Sequence, residues 1–154
     1  MTGFAENFVQ CAEMPGAKQS PFRAPRQAPR WVRALEVIDG LLREHPDVAE
    51  QLRGVVSDAL SGQDTSPLSA EQWMRALFVQ QMSGRDDWHI SFYLNDSTAC
   101  RAFCGIAERT YIPDEKISTI LRRMDEPTWQ VIAMKLQPRM GRAWRKQYGE
   151  RVDW

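Results

Sequence analysis

The chain has 154 residues and balances 20 basic against 20 acidic side chains, so its formal charge is zero. That balance excludes a protein that coats nucleic acid through overall field alone, and an apolar fraction of 43% excludes a wholly disordered chain. The longest apolar runs, such as 76–79, fall far short of the roughly 20 residues that span a bilayer. Six Trp, six Phe and seven Met supply bulky packing material, enough for one domain with its own core. The start, MTGFAENFVQCAEMPGAK, lacks the basic stretch and apolar block of a secretory signal. A soluble, cytoplasmic protein without a membrane partner is expected.

Residues 1–30 read as a flexible, disordered arm. Its PFRAPRQAPR segment carries three prolines in ten residues, which breaks helices and favours extended chain. Trp31, Leu35, Ile38, Leu41 and Leu42 then recur at helical intervals. Pro46 ends that helix or opens the next, on which Val48, Leu52, Val55, Val56 and Leu60 recur, closing near Gly62. The segment 31–62 is therefore expected to be a helical hairpin. The loop GQDTSP leads to a third helix, where Ser69 and Gln72 make a capping-box pattern and Gly84 is the stop. Asp86 is expected to cap a fourth helix carrying Trp88, Phe92 and Leu94. A short fifth piece opens at Thr98 and closes at Gly105. Asp114 is expected to cap the helix EKISTILRRM. Pro127 opens a final helical stretch to about Tyr148, interrupted at Pro138. No sustained period-two pattern occurs, so the expectation is an all-α, multi-helix bundle.

Three cysteines, Cys11, Cys100 and Cys104, are too few for a disulfide framework. Cys100 and Cys104 share a helical face, and their spacing lacks the paired pattern of zinc modules, so buried packing is the expected role. His45 and His89 read as structural. No phosphate-cradling glycine loop, G-x-S-x-G elbow or H-E-x-x-H occurs. A self-sufficient small enzyme is therefore disfavoured.

The order of pieces in 68–124, LSAEQWMRALFVQQMSGRDDWHISFYLNDSTACRAFCGIAERTYIPDEKISTILRRM, resembles the N-terminal module of InsH-type insertion-sequence transposases of the DDE class. LSAEQWMRALFVQQMSG is similar to the family's Arg-Ala-Leu helix ending in Gly. LNDSTACRAFCGI is similar to its polar-to-Gly segment, and IPDEKISTILRRMDEPTW to its Pro-Asp turn followed by Arg-Arg. Glu115-Lys116 departs from the His that often follows that Asp. The tail YGERVD resembles the approach to the catalytic core, with Asp153 where a first acid falls. The resemblance implies a transposase-like helical module over 66–125, with a helix-turn-helix character. The 126–154 tail would lead toward a catalytic domain for which the chain has no room. It further implies DNA binding or dimerisation without catalysis of its own. Divalent metal would belong only to the absent catalytic domain, so no cofactor, metal ligand or catalytic residue is assigned here.

Two groups of residues are candidates for DNA contact. Lys116, Ser118, Thr119, Arg122 and Arg123 lie on the helix that begins near Asp114, and are of the right types for phosphate or base edges. Lys135, Arg139, Arg142 and Lys146 form one basic stripe on the tail if its helix is continuous. Ile132, Leu136, Met140 and Trp144 mark another, apolar side. The expected partners are double-stranded DNA at element ends, and a second copy or a full-length transposase in a mixed dimer. A DNA-bound form would be nucleoid-associated. The alternative is a helical protein-interaction module that dimerises and regulates a full-length transposase without touching DNA.

Overall fold

Gln72 to Val79 are eight consecutive buried residues on one helix, and the rest of the fold is arranged around them. A helix buried on all sides over two turns sits at the centre of a bundle. A computed structural model describes residues 20–84 and 87–149. Among these residues the architecture is all-α, with α1 (Arg30–Glu44), α2 (Pro46–Ala59), α3 (Ala70–Ser83), α4 (Asp87–Asp96), α5 (Thr98–Cys104), α6 (Asp114–Arg123) and α7 (Glu126–Tyr148). Central α3 touches α1, α2, α4, α5 and α6, while α7 lies along α1 and α2. One apolar cluster runs from Phe22 to Trp144. The hairpin, the middle module and the tail therefore share a single core. No described helix is long and apolar enough to cross a membrane.

The local signals at α3 operate as read. Ser69 Oγ accepts from the Gln72 amide at 3.2 Å, and Gln72 Oε1 accepts from the Ser69 amide at 2.8 Å. Gln72 Nε2 also donates to the Gly105 carbonyl, tying α3 to the end of α5. Gly84 ends α3 with φ of 64°, a left-handed conformation that favours glycine. Trp73, fully buried, donates its indole N–H to the Thr65 carbonyl at 2.6 Å, so the loop before α3 is fastened from inside.

α5 opens at Thr98 and closes at Gly105 as expected, and Ser97 caps it, its hydroxyl accepting from the Cys100 amide. Other boundaries differ from the sequence expectation. Asp114 is already helical and does not cap α6; Pro113 occupies the cap position, and the Asp114 carboxylate accepts a hydrogen bond from Ser91 on α4. The cap expected at Asp86 lies outside the described residues. Pro138 does not interrupt α7, which continues to Tyr148. Proline removes the backbone donor that would reach the Met134 carbonyl, and one position on Arg139 Nη1 donates to the Lys135 carbonyl at 3.1 Å.

The arm also differs over the part that is described. Residues 20–29 lie on the core and do not hang free, because their backbone finds partners on α1. The Phe22 amide donates to Asp39 at 3.0 Å and the Ala24 amide to Glu36 at 3.1 Å. The Phe22 ring is buried edge-on against Phe103, with centroids 5.6 Å apart. Residues 1–19 lie outside the described residues.

Candidate nucleic-acid interface

From Thr128 to Tyr148 the sequence of α7 contains five basic side chains and no acidic one. Continuity through Pro138 decides what that composition does. At 100° per residue, Lys135, Arg139, Arg142 and Lys146 fall on one side of a single helix, over about 16 Å of its axis. The apolar stripe Ile132, Leu136, Met140 and Trp144 is buried against the bundle. Burial of that stripe fixes the rotation of α7, and so fixes where the basic stripe emerges.

It emerges at the seam with α1. Arg139, Arg142 and Lys146 form one wall of an open groove of about 770 Å³, and Gly40, Glu44 and His45 contribute to the other. Arg142 and Lys146 are exposed, and Arg139 is half-buried. Lys135 stands apart from this wall, donating to Gln51 of α2 at 3.2 Å. The groove therefore gathers three of the four stripe residues. Glu44 is the only acid among its lining residues.

The last turns of α7 are fastened to α1 by an aromatic cluster that residue periodicity alone does not reveal. Trp144 and Tyr148 pack with their rings tilted at 43° and centroids 4.5 Å apart, and the Arg33 guanidinium lies 5.5 Å from the first ring and 5.2 Å from the second. Tyr148 donates its hydroxyl to Glu36 at 2.7 Å, and Gln147 donates to the same carboxylate. Glu36 also accepts from the Ala24 amide, so one acid joins α7, α1 and the N-terminal segment. Burial and the neighbouring Glu36 carboxylate push the Tyr148 hydroxyl up to about 12.

The other group sits elsewhere. α6 packs on α3 and α4, whereas α7 packs on α1 and α2. Lys116 is engaged by Asp64 at 3.3 Å. Thr119, Arg122 and Arg123 are exposed and Ser118 is half-buried. The first turn of α6 is acidic, with exposed Asp114 and Glu115, where a recognition helix would present groups to base edges and phosphates. The connection that precedes α6 covers 105–113, longer than the three or four residues of a tight helix-turn-helix. Asn95 orders it, donating to the Ile112 carbonyl and accepting from the Ile112 amide, both at 2.8 Å. Arg101 donates to the carbonyls of Ala107 and Thr110 in the same loop.

No protein-family model, no curated protein and no solved structure matches the chain. The family resemblance therefore rests on the order of motifs in the sequence alone.

The remaining groups read in the sequence are placed as follows. Cys100 and Cys104 are buried in the core, and burial raises both thiols above their ordinary value. No cluster of three or more His, Cys, Asp or Glu side chains that would hold a metal ion occurs among the described residues. His45 joins α1 to α2 and lines the groove. Cys11 and Asp153 lie outside the described residues.

Proposed function

We propose that the chain is a helical DNA-binding module of the insertion-sequence transposase kind, that it contacts the duplex backbone through α7, and that it carries out no catalysis itself. The observation that carries this reading is the acid-free run of α7, which lines up Arg139, Arg142 and Lys146 along the α1 groove. Phosphate contact needs cations fixed at intervals along an exposed surface, and guanidinium groups suit phosphate geometry. The four stripe residues would release about four counterions, giving a log–log salt slope of roughly −3 to −4. Transposition as the biological setting rests on the resemblance, and double-stranded DNA at element ends follows from it. Within this reading α7 is the better-supported surface, because the acidic first turn of α6 opposes phosphate.

The test is fluorescence anisotropy on a 30-base-pair duplex across a salt series. The expected result is binding with that slope, and loss of about three units of slope when Arg139, Arg142 and Lys146 are replaced together by Ala. Undetectable binding at low salt, or binding indifferent to the triple replacement, would sink the reading.

A second reading is a helical interaction module that pairs with another copy or with a full-length transposase. The observation in its favour is the pair of exposed aromatics Phe92 and Tyr111, 51% and 66% accessible. Both border one cleft beside α6. Concentration-dependent association in the absence of DNA is its signature.

A further inference from the structure

The outward face of α6 is divided by charge along its length. Asp114 and Glu115 occupy the first turn, and Arg122 and Arg123 the last. Ile117, Ile120 and Leu121 are buried, so they set the inward direction of the helix. Glu115 and Arg122 are seven residues apart and lie within about 20° of each other on the opposite, exposed side. Midway between them stand Ser118 and Thr119, whose small side chains let a second helix approach to the 8–10 Å typical of packed pairs. Such a face is complementary to itself when reversed.

We propose that a second copy of the chain docks here, with α6 packed antiparallel against α6 of the partner about a two-fold axis at Ser118 and Thr119. Glu115 of each copy then meets Arg122 of the other, and the contact is made twice, as an isologous interface requires. Charge complementarity chooses the antiparallel arrangement, because a parallel one would set acid against acid and base against base.

The neighbouring cleft supplies the apolar part of the contact. It holds about 190 Å³ and is bordered by Phe92, Asn95, Asp96, Tyr111 and Asp114. That is below the roughly 300 Å³ of a small-molecule site, and its two aromatic faces and two carboxylates suit a guanidinium. The walls are already fixed: Ser91 holds Asp114, and Asn95 pins Ile112 beside Tyr111. In the dimer Phe92 and Tyr111 are covered, and the last turn of the partner's α6 reaches this end. Aromatic residues and arginine are the types enriched at protein interfaces. This inference rests on the interaction reading and not on DNA contact by α7.

The test is sedimentation equilibrium of the full chain without DNA, at low and high salt. The expected result is a salt-sensitive dimer. Glu115→Arg alone and Arg122→Glu alone should each raise the dimer Kd at least about tenfold, since each reversal places like charges together twice. The double variant should dimerise again, and the two single variants, when mixed, should pair with each other. Tyr111→Ala should weaken the dimer without changing the thermal midpoint of the monomer. A chain that stays monomeric at every concentration overturns the interaction reading itself. A dimer unmoved by either reversal, or not restored in the double variant and the mixture, overturns the α6 seam alone. Anisotropy on the duplex is unaffected by the first result, so failure of DNA binding by α7 is separately readable.

Discussion

Arg75 reaches from the central helix α3 to Asp39 on α1, with 2.8 Å between Nη1 and Oδ1 and both side chains less than 5% exposed. Asp39 also accepts from the Phe22 amide and from Arg43 Nε, while Arg75 donates to the Phe103 carbonyl and lies 4.9 Å from the Phe103 ring. The carboxylate thus has three donors from three parts of the chain. Removing it by Asp39→Ala leaves a buried guanidinium without its counter-charge, at a cost of about 3–5 kcal/mol. Replacing both partners by apolar residues, Asp39→Leu with Arg75→Met, should recover much of that loss. Urea unfolding of the two single variants and the pair measures this directly. Strictly additive costs would show that the two groups are not coupled.

Tyr148 gives the fold a dependence on alkaline pH. Its ordinary value is near 10, and in the folded chain burial and Glu36 push it up to about 12. A raised value favours the protonated form in the native state. The contribution is therefore complete below pH 10 and is lost as pH rises from 10 through about 12. The stability gap between the natural chain and Tyr148→Phe should stay level from pH 7 to 10 and narrow above it. A gap that widens with rising pH would contradict the hydrogen bond to Glu36.

Cys100 and Cys104 should be inert while the protein is folded. The thiolate is the reactive species, and burial holds both thiols above their usual value. Iodoacetamide at pH 8 should modify them only after denaturant is added, as read by peptide mass spectrometry. Rapid native modification of Cys104 would mean that α5 opens readily from α3.

Helix identity was legible because it depends on neighbours in sequence: the Ser69–Gln72 box, the glycine stops at Gly84 and Gly105, and the apolar stripes of α1 and α7 are all local patterns. What escaped were partners far apart in the chain. Phe22 reads as part of a proline-rich arm until the Asp39 carboxylate, 17 positions on, is seen to accept its amide. A signal for that acid existed: Asp39 falls with Leu35, Ile38 and Leu42 on the apolar side of α1, where an unpaired carboxylate would be costly. Arg75 likewise stands inside the wholly buried run of α3. At the candidate interface, the basic stripe of α7 was legible as spacing. Its wall opposite α1, and the Arg33, Trp144 and Tyr148 cluster that fastens the end of α7 to α1, depend on packing between helices more than 100 residues apart in sequence.

Pro138 stands inside the 23 residues of α7 without ending the helix. Proline in a helix interior costs about 3 kcal/mol relative to alanine, because one backbone donor is missing and the ring crowds the preceding turn. Packing of Ile132 and Leu136 before it, and of Met140 and Trp144 after it, holds the two halves in line. Pro138→Ala restores the donor and should raise unfolding stability by about 1–3 kcal/mol, while leaving the rotation of the basic stripe unchanged. Thermal unfolding of the variant, alongside duplex binding, separates the two effects. A gain in stability with unaltered DNA affinity is the expected outcome. A loss of stability would mean that α7 needs the geometry of the proline to remain seated on α1 and α2.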